Sequence, residues 1–89
     1  MNNQALLSEI ELLLRKGISD IDKIELKDVT EKHRKHRGFT EGRYHIKLKI
    51  VSNSLSSKNR LSAHKQIYHL LDSLMQETIH SLVIQIESL

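Results

Sequence analysis

The apolar positions of this chain change period along its length, and the changes divide it into elements. Ala5, Leu6, Leu7, Ile10, Leu13 and Leu14 fall on one helical face, with Asn2 or Asn3 available as N-cap, Arg15 and Lys16 in the last turn and Gly17 as a stop. Lys23–Val29 alternates polar and apolar residues, as a half-buried strand does. Thr30–Arg43, with Gly38 and Gly42 and little apolar content, reads as a long, mobile loop. Tyr44–Val51 predicts a second strand, Ile46, Leu48 and Ile50 on one face and His45, Lys47 and Lys49 on the other. The polar stretch Ser52–Asn59, broken only by Leu55, has room for a short helical turn. Leu61, Ile67, Tyr68, Leu71, Leu74 and Met75 then predict a long helix from about Asn59 to Glu77, and Ser81–Ile86 a last, aliphatic strand.

The order α-β-β-α-α-β predicts an α+β fold, a two-layer sandwich in which helices cover one face of a three-stranded sheet. A crossover through helices makes the last strand parallel to the second if the two are neighbours, so the sheet is expected to be mixed. In this reading His80 of Ile79-His80-Ser81-Leu82 stands at the junction of the long helix and the last strand, at the rim of the core. A side chain there is held by rigid elements yet remains reachable.

With 89 residues, the chain is expected to form a single domain, 1–89, around one core. It has no cysteine, which excludes disulfides, thiolate metal sites and thiol catalysis by its own residues. No apolar run approaches a membrane span, and the N-terminus lacks the basic start of a signal peptide, so a soluble protein is expected, cytoplasmic or organellar after processing. The net charge of +3 is unevenly spread: Lys32, Arg34, Lys35, Arg37, Arg43, Lys47 and Lys49 face only Glu31 and Glu41 in their segment. Such a patch is a solvated loop or a contact for phosphate or an acidic protein surface. Phe39, Tyr44 and Tyr68 are the only aromatic residues of their kind, too few for base stacking along a single strand.

No catalytic constellation is visible. Ser62 with His64, and Ser81 with His80, lie too close along one element to point at each other, and Gly17, Gly38 and Gly42 are too dispersed for a phosphate loop. The chain is therefore read as a binding protein and not an enzyme. His45 is expected to make a surface hydrogen bond, His64 to pack at the core edge and shape a groove beside His80, and His69 to be exposed.

Three blocks taken together resemble the BolA family, whose fold is similar to the class II KH domain. They are Asp28-Val29-Thr30-Glu31-Lys32-His33-Arg34-Lys35-His36; His45-Ile46-Lys47-Leu48-Lys49-Ile50-Val51-Ser52; and the run from Leu55 through Lys58, Leu61, His64 and Tyr68 to Ile79-His80-Ser81-Leu82. The chain departs from the family where Phe, Gly and Arg-His-Arg are usual: it has Leu55, Ser57 and Ala63-His64-Lys65, and it lacks the Thr-Pro after the last strand.

The resemblance implies partnership with a monothiol glutaredoxin and a shared two-iron two-sulfur cluster, in cluster assembly or delivery or in iron sensing. Thiolates would then come from the glutaredoxin and its glutathione, and imidazole nitrogen from this chain, with no cluster held by the isolated protein. On this reading His80 is one metal ligand and His33 or His36 the other, while His64, Lys65 and Tyr68 contact the partner. The protein alone would be a monomer. Mixed thiolate and imidazole ligation has a precedent in Rieske centres. The family also permits a second reading, a DNA-binding regulator that uses Lys58, Arg60 and Lys65 at the start of the long helix with Arg34, Lys35 and Arg37 of the loop. Helix amides and cations there would meet phosphates.

Overall fold

The computed structural model describes residues 2–33 and 43–89, the side chains of Lys32 and His33 excepted. The elements are α1 (Asn3–Gly17), β1 (Ile21–Asp28), α2 (Thr30–His33), β2 (Tyr44–Ser52), α3 (Asn53–Ser56), α4 (Arg60–Leu70), α5 (Asp72–Glu77) and β3 (Ile79–Glu87). The sheet order is β1-β2-β3, with β1 antiparallel and β3 parallel to β2. This is the expected mixed sheet. Leu6, Ile10 and Leu14 of α1 and Ala63, Ile67 and Leu71 along α4 join Ile46, Leu48, Ile50, Ile79 and Leu82 of the sheet in one core. No helix among the described residues is long and apolar enough to cross a membrane.

Local chemistry explains the helix ends. The Asn2 side chain accepts the Ala5 amide at 2.8 Å, so Asn2 is the cap of α1. Gly17 is not a left-handed stop. A Cβ there would lie 2.3 Å from Leu70 Cδ2 and 2.7 Å from Cδ1, so glycine serves the close approach of α1 to the end of α4. At the end of β2, Asp20 accepts the hydroxyls of Ser52 and Ser54, each at 2.7 Å, and the Ser54 amide at 2.8 Å. The Ser52 hydroxyl in turn caps α3 by accepting the Leu55 amide, which drives Leu55 into the core. Ser57, at a position where glycine is usual in the family the chain resembles, has φ −80° and ψ −14°, a conformation open to any residue.

Several expectations need correction. The segment Thr30–Arg43 is not loop throughout: its first four residues form α2. The Asp28 carboxylate accepts the Thr30 amide at 2.9 Å and the Thr30 hydroxyl as well, a local turn that starts the helix. The long helix is two, bent at Leu71, which has φ −102° and ψ 15°. The Leu71 amide still reaches Ile67 O, and the Met75 amide reaches Leu71 O. Buried Leu71 and Leu74 keep the apolar spacing across the bend, so the pattern carries no trace of it. Leu61 is 65% exposed: the inward line runs through Ala63, Ile67 and Leu71, and Leu61 lies two residues, about 200°, off it. Finally, β3 begins at Ile79, so His80 lies inside the strand and not at its junction with the helix.

The sheet face turned away from the core carries a run of exposed ion pairs, Lys23–Glu25 (3.2 Å), Glu25–Lys49 (3.8 Å) and Lys49–Glu87 (3.3 Å). They contribute little to stability, being open to water. Lys27 stands directly opposite Lys47, and no ion pair engages either among the described residues.

Two outcomes test this description. Gly17→Ala gains helix propensity but must displace Leu70; it is expected to destabilise the wild type by about 1 kcal/mol and to stabilise a Leu70→Ala background, as read by a double-mutant cycle in urea. The hydroxyls of Ser52 and then Ser54 hold the Asp20 carboxyl below its ordinary range. A carboxyl depressed in the folded state adds stability above its unfolded pKa and loses it as pH falls through the folded one. The melting temperature should therefore drop below about pH 4, and Asp20→Asn should flatten part of that drop while lowering the plateau at neutral pH.

Candidate functional site

The register of β2 against β3 breaks at one place. Tyr44 pairs with Ile79 but His45 pairs with Ser81, which leaves His80 as an extra residue, a bulge in a parallel pair. The consequence is a change of phase. Ile79 and Leu82 lie three positions apart, yet both are buried (0% and 8% exposed), and the side chain of His80 is exposed to solvent. Bulges of this kind re-aim a side chain. The ring of His80 lies 4.9 Å from the ring of His45, centroid to centroid, tilted by 57°.

His45 itself was expected at the surface, and the structure corrects this: it is only 6% exposed. Its Nδ1 is 2.8 Å from the Ser81 hydroxyl, its amide donates to the Thr30 hydroxyl at 3.2 Å, and its carbonyl accepts the Val29 amide at 2.8 Å. The chain leaving β1 thus straps the start of β2 before entering α2. Beneath the strap, burial raises the Asp28 carboxyl, but the Thr30 hydroxyl and amide, then the Asn3 side chain and His45, outweigh it and hold the group below its ordinary range. Alternation along β2 places His45 on the polar face; among the described residues the strap bonds its backbone, and Ser81 and His80 lie against its ring.

Arg43, counted in the sequence among the loop cations, is a structural clamp. Its Nη2 donates to the carbonyls of Met75 and Ile79, each at 2.9 Å, and the Tyr44 amide donates to Thr78 O at 2.9 Å. These bonds tie the end of α5 and the first residue of β3 to the start of β2. They fix the backbone on which the bulge is built.

The remaining candidates are distributed unevenly. His33 ends α2, two residues past the Glu31 that follows Thr30 at the strap, while His36, Arg34, Lys35 and Arg37 lie outside the described residues. His64 lines a groove with Leu55, Ala63, Ile84 and Ile86, with Lys58 and Arg60 beside it. That groove reaches the far half of β3, about 13 Å or more along the strand from His80, so it is not the groove beside His80 that the sequence led us to expect. Tyr68 is 38% exposed and donates to Leu82 O at 3.3 Å, nearer the bulge, and Lys65 and His69 are exposed. At the start of α4, Asn59 accepts the Ser62 amide at 2.8 Å and Lys58 donates to Gln66. Ala63, in the stretch where Arg-His-Arg is usual in the family the chain resembles, faces the core at 1% exposure.

As to metal chemistry, no group of three or more His, Cys, Asp or Glu residues among the described ones is arranged to hold an ion. At the β3 bulge, the donor set among the described residues is the exposed imidazole of His80 with the His45 ring beside it. Such a set suits a centre whose other ligands come from elsewhere.

Comparison with known proteins places these observations. The model of the family described as BolA-like protein matches residues 14–88. The curated "Protein BOLA1, chloroplastic" of Arabidopsis thaliana is 30% identical over 74 residues, which cover 80% of this chain and 46% of that protein. The chain thus spans about half the length of that relative. The solved BolA domain of SufE1 from Arabidopsis thaliana superposes with a TM-score of 0.76 at 26% identity, covering 99% of this chain and 94% of the other. BolA1 from Arabidopsis thaliana does so with a TM-score of 0.75, also at 26% identity and with the same coverage.

The clamp is open to direct test. Arg43→Met leaves two buried-end carbonyls without their donor and is expected to cost about 1–3 kcal/mol in chemical denaturation, with faster hydrogen exchange at the Tyr44 amide. Unchanged exchange at Tyr44 would show that the bulge does not depend on Arg43.

Proposed function

Since the chain belongs to the BolA-like protein family, we propose that it is a binding partner of a monothiol glutaredoxin and shares a two-iron two-sulfur cluster with it. The observation that carries the reading is the exposed imidazole of His80 on the β3 bulge, in a protein with no cysteine of its own. A cluster requires four protein or thiol ligands, so this chain acts only with a partner that supplies thiolates. The glutaredoxin cysteine and its bound glutathione are the proposed sources. The cluster is cargo passed or sensed by the pair, and the chain supplies ligands and contacts instead of catalysis.

The chemistry of the site is consistent with this. Imidazole replaces thiolate without adding negative charge, which raises the potential of the cluster and loosens its hold compared with full thiolate ligation. Lys27 and Lys47 face each other one step along the polar sheet face from His45, about 7 Å away, and place positive charge near an anionic centre. His33 or His36 is the proposed second ligand. His33 is favoured by its position at the end of α2, because the strap joins the start of that helix to His45, the neighbour of His80. Lys65 and Tyr68, on the part of α4 nearest Leu82, are proposed to meet the partner, and His64 does so only if the interface extends to the far half of β3. The cytoplasm is the proposed compartment. A DNA-binding reading has weaker support, since Asn59 already occupies the Ser62 amide at the α4 N-terminus and Ala63 is buried.

The test is a titration of this protein into cluster-loaded monothiol glutaredoxin, followed by visible absorption and circular dichroism. A new, saturable spectrum at one-to-one stoichiometry is expected for the wild type. His80→Ala should abolish the spectral change while binding through the contact surface persists in part. An unchanged wild-type spectrum, or an equal change for His80→Ala, would sink the ligand assignment.

A further inference from the structure

The sequence gives no reason to connect His45 with His80, and the structure places their rings together. In a regular strand, His80 and Ser81 would point to opposite faces. With His80 bulged out, both reach the same ring: Ser81 by a 2.8 Å hydrogen bond to His45 Nδ1, and His80 by a 4.9 Å tilted ring contact. That spacing lies within the range of about 4.5–7 Å typical of paired aromatic rings.

We infer that His45 is a positioning residue for His80. The His45 backbone is fixed by Thr30 and Val29, its ring is held by Ser81, and the residue is buried. It is therefore a rigid wall. His80 is exposed, and no hydrogen bond among the described residues engages its imidazole. An exposed side chain of this kind samples several χ1 wells unless a neighbour excludes some of them. The His45 ring is the neighbour in place to do so. It restricts His80 to the orientation in which a ring nitrogen points outward from the sheet edge.

The functional half of the inference rests on the reading of His80 as a ligand given above. Supporting residues that orient a metal-binding imidazole commonly change affinity by 10–100-fold, about as much as a weak ligand does. Ser81 and His45 act here in series: the hydroxyl holds one ring, and that ring holds the next. Lys47 and Lys27 lie further along the same face, and Asp28, at the end of β1, interacts electrostatically with His45.

The experiment has two arms. In the isolated protein, labelled at histidine, three-bond couplings report the χ1 distribution of His80 without any cluster. A single dominant rotamer is expected for the wild type and for His45→Phe, which keeps a ring at the wall, and averaged couplings are expected for His45→Ala. Ser81→Ala, which frees the His45 ring but leaves it in place, should give an intermediate distribution and serves as the decisive variant if His45→Ala does not fold. In the second arm, with cluster-loaded glutaredoxin, His45→Ala should weaken formation of the shared species about tenfold, and His45→Phe should restore it. Identical His80 couplings in the wild type and in both His45→Ala and Ser81→Ala overturn the inference. Loss of the spectrum in His45→Phe as complete as in His80→Ala also overturns it, because His45 would then be a ligand. If His80→Ala leaves the spectrum of the complex unchanged, the ligand reading fails, and the couplings alone still decide whether His45 positions His80.

Discussion

Ile79 and Leu82 must both be buried, and a strand of regular pleat cannot bury two residues of opposite phase on one face. The structure resolves the conflict with a single extra residue, His80, between the Tyr44–Ile79 and His45–Ser81 pairs. Most of what surrounds the site follows from that accommodation. Ile79 seals the end of the core under α5, the aliphatic series Leu82, Ile84 and Ile86 lines the sheet under α4, and the residue left over is presented to solvent. Core burial of large aliphatic side chains is worth about 1.5–3 kcal/mol each, far more than the cost of one lost ladder bond, so the bulge is the favourable compromise.

The bulge is held from both sides by chain segments remote in sequence. Arg43 grips the carbonyls of Met75 and Ile79 just ahead of it, and the strap from Asp28 to Thr30 packs the start of β2 behind it. The same strap bonds the backbone of His45, which is buried on what is otherwise the polar, open face of the sheet. An imidazole is thus exposed at the edge, another is buried beside it, and the two differ because of backbone connections rather than residue type. On the proposed function, this asymmetry leaves His80 as the imidazole that the sheet itself offers to a shared cluster, with His33 or His36 as the second ligand and thiolates from another molecule. Among the described residues no group of three or more His, Cys, Asp or Glu could hold a metal ion, so the proposed cluster needs ligands from a partner.

Departures from the familiar sequence of the BolA-like family have local explanations. Leu55 fills the core once Ser52 caps α3, Ser57 needs no glycine conformation, and Ala63 points inward along the α4 line that also carries Ile67 and Leu71. The fold is therefore insensitive to these changes. Cationic contacts along α4 are not: with Ala63 in the core, positive charge there is confined to Lys58, Arg60 and Lys65, and Lys58 is already paired with Gln66.

By itself the sequence determined the order of the strands and principal helices, though not α2, the mixed three-stranded sheet, the helix-covered face and most of the core, because burial on amphipathic elements is written in periods of 3.6 and 2. It also singled out His80, as the place where the period changes. Ile79 lies three positions before Leu82 and so out of phase with it, the trace that the bulge leaves in the sequence. The tertiary structure alone decided the bend at Leu71, across which the apolar spacing continues unbroken, and the packing role of Gly17, which depends on where Leu70 comes to rest. It alone decided the burial of His45 and the clamp at Arg43 as well. Both depend on hydrogen bonds between segments far apart in the chain, Thr30 to His45 and Arg43 to Ile79, and such bonds leave no periodic trace in either partner's own sequence.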